Sequence, residues 1–164
     1  MPGVFASHER TFEANRYVYP VVSRRSRGVS VGINLNLDLA CNFDCVYCQV
    51  DRSASKTAEE IDLGLLETEL DATVPLVSSG ALFEHPRFRR TPVPLRRFND
   101  IAFSGNGEPT MCRRFSEAVA VAAAVRERHG LECVKLVLIT NATLLDRDWV
   151  RQGLETLDQN NGEI

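Results

Sequence analysis

Three cysteines lie close together near the end of the first third of the chain, and their spacing constrains the protein more than any other feature. The run reads Cys41-Asn-Phe-Asp-Cys45-Val-Tyr-Cys48, a C-x3-C-x2-C pattern with Tyr47 directly before the third cysteine. Thiolates at this spacing can gather on one loop around a metal centre. A 4Fe–4S cluster usually takes four cysteine ligands, one for each iron. Three ligands would leave one iron open to a small molecule, and we expect the chemistry there.

Other interpretations of the cysteines remain open. Free cysteines are often buried in cores, although core packing gives no reason for this clustering. A structural zinc site needs four ligands, often from two C-x2-C pairs, whereas Cys112 and Cys133 are single and far apart. His85 or His129 would be the fourth zinc ligand, but no motif places either residue. A disulfide framework is not expected, because the chain has five cysteines and no secretory context.

Composition is that of an ordinary globular domain. The chain has 164 residues, of which 44% are hydrophobic and 25% charged, enough for one domain with a core. Its formal net charge of -3 does not indicate a basic nucleic-acid-binding domain. The N-terminus lacks the apolar stretch of a signal peptide, and no apolar run approaches the roughly 20 residues that span a bilayer. We therefore expect a cytoplasmic protein without a membrane partner.

The segment before the cysteines alternates between two kinds of residue. Small or polar residues separate the apolar ones over residues 28–36, and a period of two predicts a strand. The apolar set is Val29, Val31, Ile33 and Leu35. We place this set against outer helices and the polar set inward, toward a polar site. The cysteine loop (residues 41–48) then follows the C-terminal end of the strand, where active sites of parallel α/β barrels lie.

Helices and strands alternate through the rest of the chain. A capping box from Thr57 to Glu60 predicts the start of a first helix, which Pro75 should kink or end. Apolar periodicity predicts further helices over residues 113–129 and about 146–158. Short apolar runs predict strands over residues 100–104 and 134–140, with the start of another at 162–164.

This order predicts an α/β fold, an incomplete (βα) barrel of about three parallel βα units. Residues 1–27 are expected to form an N-terminal arm. Within this arm, residues 17–22 are either a short strand or an extended segment, and Pro20 favours an edge position. Residues 28–164 form the domain itself.

Two polar turns follow the second and third predicted strands. Ser104-Gly-Asn-Gly-Glu-Pro-Thr110 contains two glycines, which let a backbone approach a ligand closely, and Glu108 would lie at the functional end. Thr140 and Asn141 follow the next strand, so their side chains would lie at the same end. Structural roles are the alternatives: residues 104–110 would be an ordinary strand-to-helix turn, and Asn141 would be a turn or helix-start residue.

The cysteine pattern resembles the signature of the radical SAM superfamily, whose members bind a 4Fe–4S cluster and S-adenosylmethionine (SAM). The longer run over residues 32–52 is similar to a bacterial branch related to wyosine-type tRNA-modifying enzymes. The first polar turn resembles the superfamily's Gly-Gly-Glu-Pro motif, although Asn106 stands where its first glycine usually is. The superfamily often reads Thr-Asn-Gly-Thr at the second turn, where this chain has Ala142.

The resemblance implies a radical enzyme. Cys41, Cys45 and Cys48 would ligate three irons, and the amino and carboxylate groups of SAM would chelate the fourth. One electron would break a carbon–sulfur bond of SAM, and the resulting 5′-deoxyadenosyl radical would abstract hydrogen from an unknown substrate. No side-chain acid or base is needed for the first step, so no catalytic residue is assigned beyond these ligands.

The resemblance also implies the remaining cofactor contacts. Tyr47 would lie beside the adenine of SAM, or alternatively pack beneath the cysteine loop. The turn that follows the second strand would hold the amino group of SAM, and Asn141 would be a further contact. The residues assigned to that turn are Gly105, Asn106, Gly107, Glu108 and Pro109.

The resemblance covers only the first half of a six-strand core, so we expect a truncated gene product, a fragment, or one partner of a split protein whose C-terminal half is on another chain. A one-electron donor such as flavodoxin or ferredoxin would be another partner. Residues 84–98 carry five arginines and either contact RNA or form a solvated loop with Phe88 and Phe98 in the core. The alternative function is an iron–sulfur binding or electron-transfer fragment without complete radical catalysis.

Overall fold

A computed structural model of the chain describes residues 10–53 and 60–164, and strands and helices alternate through most of these ranges. Short 3-10 helices at Ala81–Glu84, Val93–Leu95 and Pro109–Met111 lie in the connections. The strands are β1 (Val18–Ser23), β2 (Gly28–Ile33), β3 (Phe98–Phe103), β4 (Lys135–Leu138) and β5 (Gly162–Glu163), and the α-helices are α1 (Leu63–Ser78), α2 (Phe115–Arg128) and α3 (Asp148–Gln159).

The described strands form one sheet in the order β1-β2-β3-β4-β5. β1 is antiparallel to β2, whereas each neighbouring pair from β2 to β5 is parallel. The predicted α/β class, the parallel βα units and the short final strand are confirmed. Because β2, β3 and β4 run in one direction, the segments that follow them meet at one edge of the sheet, called here the C-terminal edge.

The two faces of the sheet differ because the strand residues alternate. The register sets Val31 beside Ile101 and Leu136 on one face, and these residues belong to the hydrophobic core together with buried residues of all three described helices. Gly32 lies beside Ala102 on the opposite face. We call the first the helix face and the second the polar face. The predicted placement of the apolar set of β2 against helices is confirmed.

Helix α1 begins later than predicted and continues past Pro75. It starts at Leu63 after Asp62, whose carboxylate accepts a hydrogen bond from the amide of Leu65 at 3.0 Å and so caps the helix. The helix therefore starts later than predicted; the predicted cap residue Thr57 lies outside the described residues. Pro75 does not end the helix, which continues to Ser78. Buried side chains on either side of Pro75 hold this last turn against the core.

The antiparallel edge strand β1 is tied to α1 by one buried carboxylate. Glu69 accepts hydrogen bonds from the amides of Arg16, Tyr17 and Val18 at 2.7 to 3.0 Å. These donors would otherwise be unpaired where the chain enters the strand. The short-strand interpretation of residues 17–22 is therefore confirmed, with Pro20 on the edge strand as expected.

The arginine-rich connection from α1 to β3 folds back on itself. Phe88 is buried in the core and Phe98 packs against it, which confirms the core interpretation of these two side chains. Arg96 donates hydrogen bonds to the carbonyl oxygens of Thr91 and Arg89, and its guanidinium lies over the ring of Phe83. RNA contact by this segment stays a prediction. None of the described helices combines the length and the apolarity that crossing a membrane requires.

Candidate functional site

The cysteine loop lies at the C-terminal edge, a few residues beyond the end of β2. The amide of Cys48 donates a hydrogen bond to the carbonyl oxygen of Cys45 at 2.8 Å, which closes a tight turn. All three cysteines of the loop are half-buried, whereas Val46 and Tyr47 are exposed by 103% and 82%. The turn that carries the second and third cysteines therefore faces outward.

The three thiols share one loop without forming a gathered ligand set. Within residues 10–53 and 60–164, no three His, Cys, Asp or Glu side chains are grouped closely enough to hold a metal ion. The two histidines considered as zinc ligands are engaged elsewhere, since His85 contacts Glu13 at 3.0 Å and His129 contacts Asp71 at 2.8 Å. The cysteine thiols of the loop are nevertheless the kind of ligand that iron–sulfur clusters prefer.

The environment of Cys48 favours its thiolate. A backbone hydrogen bond from Val50 and the guanidinium of Arg52 lower the pKa of the Cys48 thiol. Arg52 donates to the sulfur at 3.4 Å and to the carbonyl oxygen of Leu39 at 2.5 Å, so it bridges the two sides of the loop. The thiolate is the form that binds metals.

Tyr47 does not pack beneath the loop, because most of its side chain is exposed to solvent. A hydrogen bond with Cys45, together with the charge on that thiol, raises the pKa of Tyr47. The ring is thus held beside a cysteine and keeps its aromatic faces accessible. The packing alternative for Tyr47 is wrong, while a contact with adenine stays a prediction.

The turn after β3, residues 105–109, is called the glycine turn, and its two glycines lie against the segment that carries the cysteines. A Cβ on Gly107 would overlap the carbonyl oxygen of Ala40, the residue before the first cysteine. A Cβ on Gly105 would overlap the side chain of Asn34. Neither glycine has a positive φ, so both are required for close approach rather than for an unusual backbone.

Asn106 fits its position although the resembled motif has glycine there. Its φ is not positive, so a side chain is tolerated. Its amide donates to the side-chain oxygen of Asn34 at 3.0 Å, and its own side-chain oxygen accepts from Arg10 at 3.1 Å. The departure from the motif therefore adds a link between the glycine turn and the N-terminal segment.

Glu108 is buried, and its carboxylate joins the glycine turn to the next turn along the edge. Oε1 accepts hydrogen bonds from the amide and hydroxyl of Thr110 at 3.1 and 2.6 Å and from the hydroxyl of Thr140 at 2.7 Å. Oε2 accepts from the amide of Asn141 at 2.7 Å. Three donors thus share Oε1, whereas Oε2 has one donor and keeps a further acceptor position. Glu108 thus lies at the predicted edge with its charge directed into the protein, and its neighbour Pro109 opens the buried 3-10 helix.

The turn after β4, residues 140–143, contacts the cysteine loop directly. The side-chain amide of Asn141 donates to Asn42 at 2.8 Å, and Asn42 donates to Thr143 at 2.6 Å. The side-chain oxygen of Asn141 accepts from the amide of Thr143, so its predicted turn role is confirmed. Ala142 adopts a φ of 64°, in the left-handed region where the resembled motif has glycine.

Four residues at this edge had no site role in the sequence-based assignment: Arg10, Asn34, Asn42 and Arg52. Asn34 belongs to the alternating strand pattern, which indicated an inward polar side chain but not its partners. The other three act through contacts that the spacing of the motifs does not encode. Arg10 lies 96 positions from its partner Asn106, and Asn42 lies 101 positions from Thr143.

Two curated proteins are similar to this chain, and both are named only as UPF0026 proteins. The UPF0026 protein MJ1312 of Methanocaldococcus jannaschii is 30% identical over 139 residues, which are 85% of this chain and 37% of the relative. The UPF0026 protein slr1464 of Synechocystis sp. is 30% identical over 145 residues, 87% of this chain and 45% of the relative. The chain thus spans less than half the length of these relatives. No family model and no solved structure matches the chain.

Proposed function

We propose that this chain is the N-terminal half of a radical SAM core domain, a partial (βα) barrel that binds a 4Fe–4S cluster and SAM at the C-terminal edge. One observation carries the proposal: segments that follow three successive parallel strands are in direct contact there. Gly107 abuts Ala40, and Asn141 is hydrogen-bonded to Asn42. Ligands of α/β sheets bind at this edge, outside the carboxyl ends of the strands.

The donor chemistry supports the proposal. Cys41, Cys45 and Cys48 would hold the cluster, and three soft thiolates leave one iron without a protein ligand. The lowered pKa of Cys48 favours the ligating form. Because the thiols are not gathered in this structure, cluster binding would have to draw them together. Their loop is exposed enough to rearrange, and metal binding commonly supplies the free energy for such ordering.

The bound cluster and SAM would supply one-electron cleavage of SAM to a 5′-deoxyadenosyl radical, which removes a hydrogen atom from the substrate. The chain itself would bind and orient these groups. Tyr47 offers an exposed ring to the adenine, and the glycine turn, which lies against Ala40 directly before the cysteine loop, would place its backbone beside the bound groups. Glu108 would be a positioning residue for this turn, because its carboxylate is already bound to protein donors.

The proposal includes partners for the reaction. An external donor such as flavodoxin or ferredoxin would provide the electron. Further strands, on the remainder of a longer protein or on another chain, would complete the barrel beyond β5. RNA remains one candidate substrate, on the basis of the resemblance to wyosine-type tRNA-modifying enzymes and of the arginines of residues 84–98.

A second candidate function is an iron–sulfur binding or electron-transfer module that does not cleave SAM. The burial of Glu108 favours it, since four protein donors already bind the carboxylate and only 3% of the residue is exposed to a ligand such as the amino group of SAM. Both functions require the cluster, and only the first requires SAM. Formation of 5′-deoxyadenosine therefore separates them.

The first experiment is anaerobic reconstitution of the 164-residue chain with iron and sulfide. We expect about four irons per chain, as a 4Fe–4S cluster contains. Cys133→Ala is the matched control, because this cysteine is exposed and lies outside the loop. Its iron content should equal that of the wild type, whereas Cys45→Ala should lose most of it. Full iron loading of Cys45→Ala would refute the ligand assignment.

A further inference from the structure

A cavity of about 430 Å³ opens on the polar face of the sheet. Tyr19 and Val21 of β1 line it, together with Ser104, the residue after β3. The register places Tyr19 beside Gly32 of β2, where a Cβ would overlap its ring, so the glycine makes room for the tyrosine. Cavities of about 300 to 1,000 Å³ are typical of small-molecule sites.

The lining of this cavity is cationic. Arg10, Arg24 and Arg25 contribute to it, and its described lining contains no aspartate or glutamate. Arg25 pairs with the buried Asp100 at 3.0 Å, with its own side chain 40% exposed. Arg24 is exposed, and no hydrogen bond or ion pair to it is found among the described residues. At least one guanidinium is thus free to bind an anion.

The cavity also adjoins the candidate site. Gln49, which directly follows the third cysteine of the loop, is one of its lining residues. Arg10 bridges to the glycine turn through Asn106 at 3.1 Å. The hydroxyl of Tyr19 donates to the carbonyl oxygen of Ser104 at 3.0 Å, at the start of the same turn. A molecule held by the arginines would therefore lie next to both the cysteine loop and the glycine turn.

We propose that this cavity binds a phosphate-bearing small molecule, with Arg24 as the principal anchor and Arg10 and Arg25 as supporting cations. Guanidinium groups match phosphate oxygens in geometry and form two hydrogen bonds at once. The volume of about 430 Å³ and the net charge of -3 favour a small ligand over an extended polyanion. The assignment of this ligand as the substrate rests on the proposed function, whereas the proposal that the cavity binds a phosphate-bearing molecule does not.

The test is calorimetric titration of the full chain with inorganic pyrophosphate at low ionic strength. Removing one guanidinium that contacts a phosphate should weaken binding roughly tenfold. We expect this loss in Arg24→Gln. Arg90→Gln is the matched control, because Arg90 is exposed and does not line the cavity, yet the change in net charge is the same. Its affinity should equal that of the wild type.

Equal affinities of Arg24→Gln and Arg90→Gln, or no binding by the wild type, would overturn the proposal. Tighter binding of the tricarboxylate tricarballylate than of pyrophosphate would overturn the assignment to phosphate. The result is independent of the cluster. If the protein forms 5′-deoxyadenosine but does not bind pyrophosphate, only the proposal of this anion site is refuted. If it binds pyrophosphate but takes up no iron, only the proposed function is refuted.

Discussion

The two faces of the sheet perform different tasks, although the same strands build both. On the helix face, Val31, Ile101 and Phe103 are fully buried among apolar side chains. On the polar face, Ser30 and Asp100 are also buried but contact each other through a hydrogen bond. Apolar burial stabilises the fold without specifying a ligand, whereas the polar face carries the hydrogen-bonding groups that we propose as ligand contacts. We therefore expect folding stability to depend mainly on the helix face and the proposed binding to depend mainly on the polar face.

Substitution of a buried residue on the helix face should cause the largest loss in the free energy of unfolding. Phe103 is fully buried, and its ring meets that of Phe115 edge-on with centroids 5.6 Å apart. Phe103→Ala should lower the free energy of unfolding by about 4 kcal/mol, through lost burial and the cavity that remains. The control is Ile139→Ala, which follows β4 and is 47% exposed, and which should cost less than about 1 kcal/mol. Urea denaturation measures both, and equal losses would contradict the division between the faces.

A smaller loss in the free energy of unfolding is expected when the buried carboxylate of the polar face is replaced. Asp100 accepts a hydrogen bond from the hydroxyl of Ser30 and pairs with Arg25 at 3.0 Å. Asp100→Asn keeps the shape but removes the charge, which should cost about 2 kcal/mol. Asp158→Asn, at an exposed position, should change the stability by less than about 0.5 kcal/mol. If the two variants unfold at the same urea concentration, the buried pair does not stabilise the polar face.

Substitution of Tyr19 should cause the smallest loss in the free energy of unfolding, and it should also change how that free energy depends on pH. Tyr19→Phe removes the hydrogen bond to Ser104 and should cost about 1 kcal/mol near neutral pH. Burial raises the pKa of Tyr19, so the folded state favours the neutral phenol. This preference adds to the free energy of unfolding in full below the pKa of tyrosine in the unfolded chain, about 10. The contribution is lost as the pH rises through the pKa of Tyr19 in the folded state.

Urea midpoints measured from about pH 8 to about pH 11 test this dependence. The wild type should lose stability more steeply than Tyr19→Phe above about pH 10. Parallel curves for the two proteins would show that Tyr19 is not held as a buried neutral phenol, and would weaken its place in the cavity lining.

Local patterns in the sequence were sufficient for the α/β class and the mostly parallel sheet. The alternation around Val31 predicted β2 and its apolar face, because one face of a strand must pack on the helices. The start of α1 was missed, since Asp62 and Thr57 both have cap chemistry and the sequence alone does not rank them. Of the two expected effects of Pro75, the end of the helix is not observed, because tertiary packing holds the turn around it; a kink stays a prediction.

The segments that meet at the candidate site were predictable, but four of its residues and most of its contacts were not. The motifs indicated the cysteine loop and the glycine turn, and parallel strand order brought both to one edge. The direction of the Glu108 carboxylate was not predictable, because Thr140 and Asn141 approach it from a different strand. Arg10 lay in a segment without periodicity, so only the folded structure connects it to the glycine turn.

The most direct test of the proposed function is formation of 5′-deoxyadenosine from SAM by the anaerobically reconstituted chain after reduction. The account predicts product from the wild type and from Cys133→Ala, and none from Cys45→Ala. A chain that holds about four irons but forms no 5′-deoxyadenosine would contradict radical SAM chemistry and favour the electron-transfer alternative.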